Sequence, residues 1–199
     1  MNLQRPSRHR ILALPGSLRG GSYNRKLLEA AADRAPATLT IELFDGLAEV
    51  PLLDEDLEAI EPLHRGVRHL REAVAGADGL LIATPEYNQS IPGVLKNAID
   101  WLSRPLPGDL LDGKPVAIMG ASTGRWGTRL AQAALRQTLT ATQAQVMPAP
   151  MLFMRDAAQL FDDDGGLCDA ASREALQALL VAFSHWIDRV RIGAHACTT

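Results

Sequence analysis

The sequence predicts a doubly wound α/β domain, a parallel sheet with helices on both faces. Three observations carry that expectation. Short apolar runs of strand length alternate five times with longer segments of helical periodicity, the signature of successive βαβ units. Runs such as Gly79–Ala83 (GLLIA) are continuously apolar rather than alternating, so both faces of those strands are buried, as in parallel sheets. The length of 199 residues suits one domain, and a chain of that size buries about 70% of the surface its unfolded form exposes. Residues 1–199 are therefore read as one domain, with 1–9 and 193–199 expected to be frayed.

The elements follow in order. Ile11–Leu14 is a buried strand ended by Pro15-Gly16-Ser17. Ser22–Ala35 is helical, with Leu27, Leu28, Ala31 and Ala32 at helical spacing. Leu39–Phe44 is the next strand and stops at Asp45-Gly46. A polar stretch holding Pro51 and Pro62 leads to a helix from about His64 to Ala75. Gly79–Ala83 is a strand closed by Thr84-Pro85. Over Gly93–Arg104, a rotation of about 100° per residue puts Trp101, Val94, Ala98, Leu102, Leu95 and Ile99 on one arc and Ser103, Lys96, Asp100, Arg104 and Asn97 on the other. Pro92 opens this helix and Pro105 stops it. A strand at Pro115–Met119, a helix near Trp126–Thr140 and a weaker strand about Gln145–Met154 follow. The last helix, Ala170–Arg191, puts Leu176, Leu179, Leu180, Phe183 and Ile187 on one face, and GAHACTT trails from it.

Composition removes several functions. Hydrophobic residues at 47% and charged residues at 22% are ordinary for a globular domain. The net charge of −3 offers no basic field to hold a nucleic-acid backbone. Cys168 and Cys197 form no CxxC pattern, so neither a disulfide framework nor a zinc site is expected, and the thiols suit a reducing compartment. The apolar run Ile11–Leu14 is too short for a signal peptide, and no stretch approaches the ~18 apolar residues of a membrane span. A cytoplasmic protein without membrane or nucleic-acid partners is expected. No metal site is expected either. His64, His69 and His185 are scattered on helical patterns, and Asp162-Asp163-Asp164-Gly165-Gly166 lacks the closing Glu of a calcium loop. Ser122 lies in GASTG, not in the Gly-x-Ser-x-Gly elbow of a hydrolase.

In sheets of this class ligands bind beyond the carboxyl ends of the strands. That directs attention to three loops, Pro15–Asn24, Thr84–Gly93 and Gly120–Gly127. The first, PGSLRGGSYN, combines Gly16, Gly20 and Gly21 with hydroxyl or amide side chains at Ser17, Ser22 and Asn24, and with the fixed charge of Arg19. It empties into a helix whose amino end favours an anion. A plain turn with Ser22 as N-cap would also fit, but so many polar groups exceed what a turn needs. The glycines miss GxGxxG, and the lysine of a triphosphate loop is replaced by Ser22. No acidic residue ends Gly79–Ala83 to hold magnesium. A single monophosphate, as in FMN, fits better than ATP or GTP.

Three segments, GSLRGGSYNRKL, TPEYNQSIPGVLKNAIDWLSR and GKPVAIMGASTGRWGT, together resemble the NADPH-dependent FMN reductase family of flavodoxin-like proteins, which includes quinone, azo-dye and chromate reductases. The resemblance spans about residues 10 to 190. It implies a five-stranded sheet of order 2-1-3-4-5, with Ser17, Arg19, Ser22 and Asn24 on the FMN phosphate. It implies Pro85, Glu86, Tyr87 and Asn88 at the isoalloxazine edge, Ser90 close by, and Ser122, Thr123 and Gly124 on the other side of the flavin. The residues of the second loop agree: prolines stiffen it, and fixed backbone donors and acceptors suit a flavin edge. The Glu86 carboxylate would oppose negative charge on a flavin, so its side chain is expected to turn away and only its backbone to make contact. No catalytic side chain is implied, because flavin N5 carries hydride from NADPH or NADH to a quinone, azo compound, flavin or similar acceptor, in ping-pong turnover. A homodimer is implied, with pairing into tetramers left open, and Val50–Glu58 (VPLLDEDLE) is similar to a segment lying near the neighbouring flavin. Trp101 and Val50–Asp56 fit either such an interface or the core of one chain, and the paired subunits that the resemblance implies favour the interface. Two departures stand out: Thr128 occupies a place where family members often carry a second glycine, and Arg125 and Trp126 are bulky. The alternative functions are a flavodoxin-type electron carrier or a flavin-binding sensor. A net charge of only −3 and 5% aromatics favour the open pocket of a reductase.

Overall fold

The computed structural model describes residues 8–104 and 109–196. Its strands are β1 (His9–Pro15), β2 (Leu39–Leu43), β3 (Gly79–Ala83), β4 (Pro115–Ala121), β5 (Gln145–Val146) and β6 (Leu152–Met154). Its helices are α1 (Tyr23–Asp33), α2 (Glu55–Glu58), α3 (Arg65–Ala75), α4 (Gly93–Leu102), α5 (Arg129–Ala141) and α6 (Ala170–Ala196). The sheet order is β2-β1-β3-β4-β5, every pairing is parallel, and β6 also pairs with β4. The expected order 2-1-3-4-5 is thus present, with its fifth position filled by two short strands. Pro148 and Pro150 lie between them, and proline has no N–H to give a ladder.

Alternation along each central strand divides two cores. Ile11, Ala13, Leu81, Ala83, Ala117 and Met119 pack with α1 and α6, including Leu27, Leu28, Leu180 and Phe183. Leu12, Leu14, Leu80, Ile82, Val116 and Ile118 pack on the other face with Leu70, Leu95, Leu102 and Leu135 of α3, α4 and α5. Each fully buried side chain of this size contributes roughly 1.5–3 kcal/mol of transfer free energy, which is why β3 carries no polar residue. α3 is capped by its own sequence: the His64 ring accepts the Gly66 N–H at 3.2 Å.

Four expectations change. Strand β1 begins at His9, inside the stretch expected to fray, because His9 is buried and its ring reaches Asp188 of α6 at 2.9 Å. At the other end α6 continues to Ala196 where fraying was expected from residue 193. Residues 1–7, Pro105 and Cys197 lie outside the described residues. The helix near Trp126 starts at Arg129 instead, because Gly127 adopts φ +60°, a left-handed conformation that favours glycine and cannot continue into a helix. Finally, Trp101 belongs to the core of its own chain. It is 1% exposed, and its indole N–H donates to the Pro51 carbonyl at 2.8 Å. Asn97 grips the same segment, accepting the Leu53 N–H and donating to the Pro51 carbonyl, both at 2.8 Å.

Candidate functional site

Parallel strands deliver the loops after β1, β3 and β4 to one edge of the sheet, and hydrogen bonds tie them together around one candidate cleft. Gly16 N–H donates to the Ala83 carbonyl at 2.8 Å, so the first and second loops leave the sheet side by side. The Ser17 hydroxyl lies 3.4 Å from that of Tyr87. Thr84 donates its hydroxyl to the Pro85 carbonyl at 2.8 Å, stiffening the turn out of β3.

The first loop has the features of an anion cradle. Ser22 is the N-cap of α1, its side chain accepting from the Arg25 N–H, and the first turn carries no acidic residue. The positive end of that helix is therefore left for a ligand. Around Gly20 the space is open: a Cβ there would meet nothing within 4 Å. Arg19 is exposed, its guanidinium 5.8 Å from the centre of the Tyr23 ring. Ser17 Oγ accepts the Arg19 N–H at 3.3 Å, which folds the loop around its own hydroxyl. Asn24 departs from the role the resemblance implied for it. Its side chain is buried and faces inward, accepting the Ala121 N–H and donating to the Ala121 carbonyl, each at 2.9 Å. A two-point amide pairing of that kind ties the start of α1 to the end of β4, so Asn24 shapes the cradle rather than lining it.

The second loop is a two-residue hairpin. Tyr87 and Ser90 exchange both backbone hydrogen bonds at 3.0 Å, with Asn88 at φ +50° and Gln89 at φ +62°. Two consecutive positive φ values are those of a type I′ turn, and they fix the backbone of Tyr87–Ser90. Ser90 serves this hairpin and is not the cap of α4, whose N-cap is Pro92 with no side-chain bond. Tyr87 is half-exposed on the cleft. Glu86 does turn away, and its destination was not legible in the sequence: Oε2 accepts the Leu130 N–H at 2.8 Å and the Ala131 N–H at 3.0 Å, in the first turn of α5.

In the third loop Ser122 gives its N–H to the Met154 carbonyl at 2.9 Å and its hydroxyl to the Gly124 carbonyl at 3.3 Å. Thr123 and Gly124 are exposed at the cleft. Arg125 and Trp126 accommodate their bulk by standing outward, the guanidinium 4.6 Å over the indole, with Trp126 61% exposed. Gly120, which sequence reasoning did not single out, lets Thr128 and the Thr84 carbonyl approach the end of β4 closely. A Cβ there would lie 1.8 Å from Thr128 Oγ1 and 2.6 Å from the Thr84 carbonyl oxygen.

A cavity of about 510 Å³ opens elsewhere, along α3 and the end of α4, lined among others by Leu63, Arg71, Trp101 and Arg104. None of the three loops contributes to it. Two of its charges pair with each other: Arg104 donates to both carboxylate oxygens of Glu58, at 2.9 and 3.0 Å, and holds that carboxyl below its ordinary range. Among the described residues no group of His, Cys, Asp and Glu could hold a metal ion, and no helix is long and apolar enough to cross a membrane.

The sheet order and the helices on both faces are those of a flavodoxin-like protein, a class in which ligands bind at the carboxyl edge of the sheet. Residues 9–159 match the family described as NADPH-dependent FMN reductase, and the chain belongs to that family. It is 45% identical over 182 residues to an NAD(P)H-dependent FMN reductase of Pseudomonas aeruginosa, covering 92% of this chain and 97% of that one. It is 41% identical over 184 residues to a quinone reductase of Escherichia coli K12, covering 92% and 97%. Among solved structures, the flavoenzyme NAD(P)H:(acceptor) oxidoreductase FerB of Paracoccus denitrificans superposes with a TM-score of 0.83 at 34% identity, covering 91% of this chain and 98% of that chain.

Proposed function

We propose that this protein is an FMN-dependent NAD(P)H oxidoreductase acting on quinones and similar small electron acceptors. The observation that carries the reading is the junction of two parts, an α1 amino end free of acidic residues and a rigid hairpin one hydroxyl contact away at Ser17–Tyr87. The names of the Pseudomonas, Escherichia and Paracoccus relatives support the same activity.

The residues present fit the cofactor. Ser17 and Ser22 hydroxyls, backbone N–H groups of the first loop and the Arg19 guanidinium would hold the monophosphate, with charge-assisted bonds the strongest contributors. The backbone of Pro85–Asn88 would meet the polar edge of the ring system, Tyr87 would give it an aromatic contact, and Ser122–Gly124 would close the opposite side. When bound, FMN supplies the two-electron chemistry, accepting hydride from NADPH or NADH and delivering the electrons to the acceptor. The chain's own residues bind and orient, and none of them has to move a proton.

One open cleft serves donor and acceptor in turn, so turnover is ping-pong and double-reciprocal plots run parallel; intersecting lines would require two simultaneous sites. The protein is further read as a homodimer. Leu52 at 80% exposure and Ile60 at 56% offer apolar surface on the Val50–Ile60 stretch, although the stretch also packs on its own α4. Light scattering tests this, with at least twice 21.5 kDa expected and a monomer with full activity as the contrary result.

The experiment for the main reading is the visible spectrum of the purified protein followed by FMN titration. A yellow protein, or one that binds one FMN per chain and then oxidises NADPH or NADH with menadione, is expected. A chain that takes up no FMN fails the reading, and one that binds FMN without turnover is a carrier or sensor instead.

A further inference from the structure

The position of Glu86 does work that holding FMN does not require. Helix α5 has no cap of its own: Thr128 makes no side-chain cap bond, its Oγ1 accepting instead from Gln132 Nε2 at 3.1 Å, and the first turn holds no acidic residue. Glu86, 44 residues earlier in the chain, supplies what is missing by accepting the N–H groups of both Leu130 and Ala131. A helix amino end carries about half a positive charge, and a carboxylate bonded to two of its orphan donors offsets that charge and satisfies them.

We propose that Glu86 is a positioning residue of the cleft. It clamps the Tyr87–Ser90 hairpin to α5, and it cancels the positive end that α5 would otherwise present at the ring end of the site. The second half rests on the flavin reading given above; the clamp does not. In the intact protein the α1 amino end, where the phosphate would bind, is left without a carboxylate, and the α5 end is compensated. Loss of the carboxylate would make the ring environment more positive, which favours reduced FMN, the more negatively charged form, over oxidised FMN.

The experiment uses the full chain with Glu86→Gln, which keeps an oxygen acceptor but no charge, and Glu86→Ala, which keeps neither. In FMN-free protein, amide hydrogen exchange at Leu130 and Ala131 is expected to accelerate about tenfold in Glu86→Ala, the scale of one lost charge-assisted bond, and less in Glu86→Gln. Dissociation constants for oxidised and for reduced FMN are then measured for all three proteins. In both variants their ratio is expected to move about threefold towards the reduced form, or about 14 mV at 29.6 mV per tenfold for a two-electron couple. Unchanged exchange at Leu130 and Ala131 overturns the clamp. Accelerated exchange with an unchanged ratio overturns the electrostatic half. A wild-type chain that binds neither form of FMN overturns the flavin reading and the electrostatic half with it, while the exchange result still decides the clamp.

Discussion

Helices α1 and α5 both follow loops at the carboxyl edge of the sheet, yet their amino ends are finished in opposite ways. The α1 end is capped locally by Ser22, three residues before the N–H it accepts, and is left without an acidic neighbour. The α5 end is capped from afar, by a carboxylate belonging to the loop after β3. A neutral hydroxyl satisfies a donor and leaves the helix charge in place, whereas a carboxylate satisfies two donors and offsets it. A helix end is available to an anion through the absence of a carboxylate as much as through the glycines around it.

The largest way to break this arrangement is Gly120→Ala. The new methyl would meet Thr128, just before α5, and the Thr84 carbonyl, just before the Glu86 loop, so both parts would have to separate. A loss of about 3 kcal/mol is expected, the upper range for overpacking, read from the urea midpoint; an unchanged midpoint would mean the loops are not held by that contact. Next in size, Arg19→Ala should weaken FMN by about 2 kcal/mol. Because the charge acts on the phosphate, riboflavin binding should not change, and an equal loss for riboflavin would place Arg19 elsewhere. Ser22→Ala removes the local cap and should cost about 1 kcal/mol of stability in FMN-free protein, measured by chemical denaturation, in addition to some FMN affinity. The smallest effect belongs to Tyr87→Phe. Its hydroxyl contact to Ser17 is long at 3.4 Å, so less than about 0.5 kcal/mol of FMN affinity should be lost. A larger loss would show that the hydroxyl touches the cofactor itself.

Much of the fold was legible because it rests on local periodicity. The bounds of β3 match the apolar run Gly79–Ala83 residue for residue, and the Gly93–Arg104 arc predicted the burial of Leu95, Ala98, Ile99, Trp101 and Leu102 but not that of Asn97, which it placed on the polar side. The local geometry of the first loop was legible too: Ser22 caps α1, as its place before the helical segment suggested, and Arg19 is exposed. Reading failed wherever a side chain's partner is distant in sequence. Trp101 sat at the edge of its arc, and its angle alone left core and interface open; the Pro51 carbonyl, arriving from 50 residues away, decided for the core. Asn24 had the right chemistry for a phosphate, but Ala121 uses its amide.

By itself the sequence determined most of the strands and helices, though not α2 or the break between β5 and β6, and which three loops follow β1, β3 and β4. Those properties follow from burial and backbone preferences within a few residues of each position. The tertiary structure alone decided which polar side chains of those loops are consumed as braces. Asn24 and Glu86 carry hydrogen-bonding groups as suitable for a ligand as those of Ser17 and Arg19. They differ because β4 and α5 bring unsatisfied backbone groups within 3 Å of them, and a buried or orphaned backbone group takes the partner that reaches it.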